Sequence, residues 1–315
     1  PIYEKAVADA KAADTPEKRR GVGIAWGGFN VTEGGGDSAE VALELMPGNK
    51  IRKYDTWHAM GQGATTGSLV VTLEALKEMH LTPEDIQLIQ NDTKTCPDTG
   101  MAGASRSLYM DGNATIIAAN KLLAAMRKED GTLRTYDEMK AEGIETKYLG
   151  RYETNTTPGL CRLDPNTGIG DPTPAFTYCL NLAEVEVDTK TGKTTVLKFT
   201  CVDFVGRIGN IDAVNGQAYS GIMHGIGFAL KEDYADVKKH ANMFGAGTSY
   251  IKDVPDDIDL IHIDGAISDG PFGSSGASEA FQASGHCAVL NGIYNACGVR
   301  IHEIPALPEK VKAGL

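Results

Sequence analysis

Four stretches of the chain set glycine beside small hydroxyl or amide side chains, and the last of them ends in a carboxylate. They are Gly61-Gln62-Gly63-Ala64-Thr65, Gly103-Ala104-Ser105-Arg106-Ser107, Gly209-Asn210 to Gly216-Gln217, and Gly273-Ser274-Ser275-Gly276-Ala277-Ser278-Glu279. Each opens a helical pattern, so each offers backbone N–H groups that have no partner within the helix. The dipole behind them favours phosphate or another anion. Glycine lets the backbone come close to a ligand, and serine adds donors. A single glycine-rich start serves equally as a tight turn or a packing point. Four at equivalent places in two lobes point to one elongated, phosphate-bearing ligand between them.

Within these stretches, Arg106 offers a fixed guanidinium for phosphate, with pairing to a carboxylate as the alternative. Gln62 and Gln217 each present a donor and an acceptor, which suits the edge of a heterocycle or, equally, solvent at a helix start. Glu279 lies in a small, mostly uncharged run, SSGASEAF. A capping box would need Ser or Thr three positions earlier, and that position is Gly276. From the residues alone, Glu279 is either a helix-start carboxylate or a general base.

The elements that must position these stretches follow from periodicity. GVGIAWGGF, residues 21–29, reads as a buried strand of small residues. AEVALELM alternates Val41, Leu43 and Leu45, MPGNK turns, and KIRKYDTW returns as the second arm of a hairpin. A helix with Leu69, Leu73 and Leu76 follows, then a strand in TPEDIQLIQND, then a long helix to about residue 127. The order recurs: a hairpin over AEVEVDTKTGKTTVLKFTCVDFVG, a helix from GNIDAV, a strand in DDIDLIHIDG, and one helix over GSSGASEAFQASGHCAVLNGIYNAC. The expectation is an α+β protein of two similar lobes, each hairpin-helix-strand-helix, at about 20–130 and 174–300. Residues 131–173, rich in turn signals such as TTPGL and DPNTGIGDPTP, read as a connecting excursion.

Composition narrows the function. A chain of 315 residues, 42% hydrophobic, has material for a substantial core, and its formal charge of -12, interspersed in sign, argues against a nucleic-acid partner. No apolar run approaches the roughly 18 residues of a membrane span. Cys96, Cys161, Cys179, Cys201, Cys287 and Cys297 include no C-x-x-C pair, and the histidines form no H-E-x-x-H, so neither an iron-sulfur cluster nor a side-chain-bound metal is expected. The start, PIYEKAVADAKAADTPEKRR, reads like the middle of a longer chain. A nicotinamide or flavin site is disfavoured, because GVGIAWGG is not followed by the helix and acidic residue of the dinucleotide fingerprint.

In this order, MGQGATTGS, NDTKTCPDTGMAGASRS, NGQAYSGIMHGIGFAL and GPFGSSGASEAF resemble the second, C-terminal molybdenum-binding domain of the molybdenum hydroxylases, the xanthine oxidase family. The resemblance runs from about residue 19 to the end. The GASE form of the last motif, KYDTW and CGVRIHEIPALPEKV are most similar to bacterial aldehyde oxidoreductases, where xanthine dehydrogenases usually carry a GVGE-like version. The resemblance implies that residues 1–315 form one molybdopterin-binding domain. The cofactor would be molybdopterin, commonly the cytosine dinucleotide in bacteria, whose dithiolene holds molybdenum without a protein ligand. Gly63, Ala64 and Thr65, Ser105 to Leu108 (with Arg106 and Ser107), Gly209, Asn210, Gln217, and Ser275, Gly276 and Ala277 would cradle it, with Gln62 and Ser278 beside them.

Glu279 matches the family's active-site glutamate, whose implied role is to take the proton from a metal-bound hydroxyl that attacks the aldehyde carbon. The implied reaction is aldehyde to carboxylic acid with water as the oxygen source. Expected partners are the aldehyde and upstream iron-sulfur and first molybdenum domains, which would hold the 2Fe-2S clusters, in a cytoplasmic enzyme with a homodimer as its expected assembly. Hydroxylation of an N-heterocycle by the same chemistry, and a non-catalytic cofactor-binding or assembly module, are the alternatives.

Overall fold

The computed structural model describes residues 1–32, 36–90, 92–154 and 163–315. A short amphipathic helix, α1 (Ile2–Ala13), precedes a long strand, β1 (Lys18–Val31). The hairpin β2 (Ser38–Met46) and β3 (Lys50–Asp55) follows; Val41, Leu43 and Leu45 are fully buried, as their alternation requires. Next come α2 (Ala64–Ala75), β4 (Ile86–Gln90), α3 (Arg106–Met126), α4 (Tyr136–Ala141) and β5 (Lys147–Glu153). The second half holds β6 (Ala175–Asp188), β7 (Thr194–Phe204), α5 (Ile211–Leu230), α6 (Met243–Ala246), β8 (Asp257–His262), α7 (Ser278–Gln282), α8 (Gly285–Cys297) and α9 (Pro308–Ala313).

The strands form two mixed sheets of one plan. In the first, ordered β4-β3-β2-β5, the hairpin is antiparallel, β4 runs parallel to β3, and β5 closes the far edge antiparallel to β2. In the second, ordered β8-β7-β6-β1, the hairpin β6–β7 is again antiparallel, β8 is parallel to β7, and β1 takes the edge that β5 holds in the first. The expected grouping of elements changes in two places. The strand over 21–29 belongs to β1 and pairs along its length with β6, not with the first hairpin. The turn-rich excursion supplies α4 and the edge strand β5; its TTPGL segment lies outside the described residues. β1 itself runs on as strand to Val31.

Helices pack onto both sheets by one device. A Cβ on Gly21 would lie 2.3 Å from the Gly292 carbonyl oxygen of α8, and one on Gly23 2.0 Å from that of Ala288. On β5, a Cβ on Gly150 would lie 2.0 Å from the Ala114 carbonyl oxygen of α3. Both helices therefore rest on strand backbone, which only glycine permits. The last expected helix is broken at Ala283 and Ser284 into α7 and α8. Gly221 of α5 meets the backbone of Phe281, and Gly225 meets Gly285, so the chain bends there to keep both in contact.

A buried charge cluster ties the first half together beneath its glycine-rich segments. Lys53 Nζ lies 2.8 Å from Asp111 Oδ1 and 3.2 Å from Asp55 Oδ2, with all three side chains fully buried. Ser68 of α2 and Gln90 of β4 donate to Asp55, each at 2.7 Å. Burial alone would lower the pKa of Lys53, but Asp111 and Asp55 more than reverse this, so the lysine holds its proton firmly. One cation faces two carboxylates, and the second gives way: burial pushes the Asp111 carboxyl up to about 6, against the pull of Lys53.

Because the folded pKa of Asp111 lies above the ordinary 3.8, the unfolded chain releases that proton first as pH rises. The contribution of Asp111 to stability is therefore present below about 4 and is lost as pH rises through about 6. Asp111→Asn should gain on the wild type in urea unfolding between these two pH values. A stability difference that stays constant, or moves the other way, would contradict the assignment.

Candidate active site and cofactor cleft

The four glycine-rich segments, scattered over more than 200 positions, meet at one cleft of about 670 Å³. Gly63, with φ of +87°, precedes α2, and neither it nor Ser105, which precedes α3, caps its helix through a side chain. Ala104 and Ser105 are both left-handed, with φ of +50°, which turns the Ser105 N–H away from the helix path. Asn210 caps α5 through its side chain, accepting from the Ala213 N–H at 3.1 Å. The fourth segment enters through a turn at Pro271–Gly273, and Ser274 bridges to Gly206.

Glu279 stands where the second and fourth segments touch. Its Oε1 accepts the Ser105 N–H at 3.2 Å, its Oε2 accepts the Ser105 hydroxyl, and its own N–H donates to Ser105 Oγ at 3.4 Å. Among the described residues the half-buried carboxylate has no ion-pair partner, and it lines the cleft. Glu279 is thus no cap of its own short helix but is oriented by a serine 174 positions away. The approach depends on Gly276: a Cβ there would fall 1.8 Å from the Ser105 carbonyl oxygen. We expect Gly276→Ala to push the two segments apart, at about 1–3 kcal/mol of stability, and to reduce any ligand bound between them. Unchanged thermal unfolding in this variant would show that the contact is not tight.

The remaining expected site residues divide. Gln62, Gly63, Ala64, Ser105, Ser107, Leu108, Gly209, Asn210, Gln217, Ser275, Gly276, Ala277 and Ser278 all line the cleft. Gln62 does so with its amide engaged in its own turn, accepting from the Met60 N–H and donating to the His58 carbonyl, which leaves one N–H and one lone pair of the amide. Gln217 accepts the Ser278 hydroxyl at 2.8 Å and locks the third segment to the fourth. Thr65 does not line the cleft; its hydroxyl donates to Gln90 at 3.2 Å.

Arg106 is a correction. It is 2% exposed, and its guanidinium grips the Asp37 carboxylate at 2.7 and 2.8 Å and the carbonyls of Ser38, Thr99 and Met101. Its five donors hold the second segment in shape and leave none for a ligand.

Residues that motif reading passed over complete the walls. Trp57, Val70, Val205 and Phe272 supply apolar surface, and Arg207 brings a cation. Trp57 belongs to the KYDTW run, and Arg207 stands two residues before the Gly209-Asn210 pair, the nearest sequence signals for either. Ser275 is 5% exposed, and its Oγ has no hydrogen-bond partner. A buried donor left open in a cleft wall suits an external acceptor. Among the described residues no group of three or more His, Cys, Asp or Glu could hold a metal, and the five described cysteines are free; Cys161 lies outside them.

Comparison with known proteins gives this cleft a context. Residues 2–255 match the family model of the molybdopterin cofactor-binding domain. The whole chain is 40% identical to an aldehyde oxidoreductase of Megalodesulfovibrio gigas, of which it covers 34%. A probable hypoxanthine oxidase of Escherichia coli is 28% identical over 274 residues. The crystal structure of the aldehyde oxidoreductase from Desulfovibrio desulfuricans superposes over the full chain with a TM-score of 0.95 at 42% identity, and 34% of that structure is covered. The chain thus spans about a third of the length of the aldehyde oxidoreductases it matches, and it belongs to the molybdopterin cofactor-binding domain family.

Proposed function

We propose that the cleft holds molybdopterin in its cytosine dinucleotide form and that the chain is the cofactor-binding part of an aldehyde oxidoreductase, with Glu279 as general base. The observation that carries this reading is the convergence of four glycine-rich, donor-rich segments on one cleft beside a carboxylate that Ser105 orients. The residues suit such a group. Ser275 carries a buried Oγ without a protein partner, the left-handed Gly63 lines the cleft, and Asn210 and Gln217 fix the third wall.

When bound, the cofactor supplies the redox-active metal that takes two electrons from the substrate. The chain supplies the rest. Gly63, Ala64, Ser107, Leu108, Gly209, Asn210 and Ser275 to Ala277 bind and orient it, while the Ser105 N–H and hydroxyl are engaged by Glu279. Trp57, Val70, Val205 and Phe272 exclude water. Ser105 holds the Glu279 carboxylate in one orientation, so that an oxygen of that carboxylate receives the proton released as water adds to the aldehyde.

The remainder of the enzyme, with iron-sulfur and first molybdenum domains, belongs to this proposal, as do a homodimer and a cytoplasmic location. Two features support further domains: the relatives are about three times as long, and Ile24, Trp26, Phe176, Tyr178 and Ile261 share one exposed sheet face. No helix among the described residues is long and apolar enough to cross a membrane.

The test is to purify the native protein, assay pterin, cytidine nucleotide and molybdenum per chain, and measure turnover of an aldehyde beside an N-heterocycle with an artificial electron acceptor. Stoichiometric cofactor with aldehyde turnover is expected. Turnover of the heterocycle alone would reassign the substrate, and cofactor without turnover of either would favour an assembly module.

A further inference from the structure

Among the described residues, every arginine but one engages a carboxylate or amide through its side chain. The exception is Arg207, in a chain whose 42 acidic residues outnumber its 30 basic ones. It lines the cleft. Its backbone is fixed: the Arg207 N–H donates to the Gly273 carbonyl at 2.8 Å, and the neighbouring Gly206 bridges to Ser274. Its stem lies along the fourth segment, with Cδ 3.3 Å from the position a Cβ on Gly273 would take. Two residues further on, Ser275 presents the buried, unpartnered Oγ. A guanidinium without a protein partner, on backbone pinned by hydrogen bonds, and a buried hydroxyl without one lie in the same cleft wall, a subsite that lacks its acceptor.

We propose that Arg207 and Ser275 together bind a phosphate oxyanion of the cleft's occupant, Arg207 through its guanidinium and Ser275 by donating from Oγ. This rests on the reading that the occupant is the phosphate-bearing pterin cofactor. It moves the cationic role from Arg106, whose donors are all taken, to an arginine the helix-start motifs pass over. The guanidinium fork matches two phosphate oxygens at once, which a lysine ammonium does not.

The test compares the purified native protein with Arg207→Gln, Arg207→Lys and Ser275→Ala. The cofactor phosphate retained per chain is measured on dialysis at rising salt, and the thermal shift given by inorganic pyrophosphate is measured on protein freed of cofactor. A charge-assisted contact of this kind is worth roughly 10- to 100-fold in affinity, so Arg207→Gln should lose cofactor by about that factor and abolish most of the pyrophosphate shift. Arg207→Lys should fall between, with steeper loss at high salt. Ser275→Ala should lose less than Arg207→Gln.

Wild-type retention and an undiminished shift in Arg207→Gln would overturn the proposal. So would a variant that keeps its cofactor but changes its relative turnover of carboxylate-bearing and neutral aldehydes, which would assign Arg207 to the substrate. A wild-type protein that carries no phosphate-bearing pterin would instead remove the functional reading itself, and this subsite with it.

Discussion

Glu279→Gln should cut aldehyde turnover by about 100-fold to 10,000-fold, roughly 3 to 5 kcal/mol of barrier, while molybdenum content stays nearly unchanged. Glutamine keeps the size of the side chain, and its Oε1 can still accept from the Ser105 N–H, but it cannot accept the proton of the reaction. The cofactor in this reading is held by backbone and hydroxyl donors and by the Arg207 guanidinium elsewhere in the cleft, so its retention does not depend on the carboxylate. The competing role is visible in the same contacts: Glu279 could serve only to bind Ser105 and close the second segment onto the fourth. In that case the substitution should cost about 1 kcal/mol of stability and leave turnover per molybdenum intact. Steady-state rates normalised to bound metal, taken with thermal unfolding, separate the two.

The second large effect is structural. Lys53→Met should destabilise the protein by about 3–5 kcal/mol, because Asp55 and Asp111 would remain buried with no counter-charge. The loss should reach the cleft, since Asp55 binds Ser68 in α2 and Asp111 lies in α3, the helices that follow the first two glycine-rich segments. Lys53→Met combined with Asp111→Asn should be less destabilised than the sum of the single variants, because the double change removes one buried carboxylate charge together with the lysine. Additive losses in urea unfolding would show that the cluster does not act as a unit.

Local pattern made much of this molecule legible. The alternation of Val41, Leu43 and Leu45 sets the face of β2, and the hairpin turns and the starts of α2, α3 and α5 follow from glycine, asparagine and apolar spacing. What escaped depends on contacts distant in sequence. β1 pairs with a strand about 150 positions away, and nothing in GVGIAWGGF distinguishes that partner from the hairpin next to it. The break between α7 and α8 is imposed by α5, through Gly221 and Gly225, so helical periodicity carries no mark of it.

The two arginines make the same point at the site. Arg106 stands inside a glycine-rich motif, yet Asp37, 69 positions earlier, claims it. Arg207 lies outside the helix-start motifs, yet the fold brings it to the cleft. Glu279 stood out in the sequence by its uncharged surroundings, while its partner Ser105 could be found only in the folded chain.

The most direct measurement of the central claim is a crystal structure of the native protein purified with its cofactor. A pterin dinucleotide is expected to lie along the cleft between the four segments, its phosphates against the fourth-segment wall and its metal beside the Glu279 carboxylate. A cofactor bound elsewhere, or one in this cleft with its metal remote from Glu279, would contradict the claim.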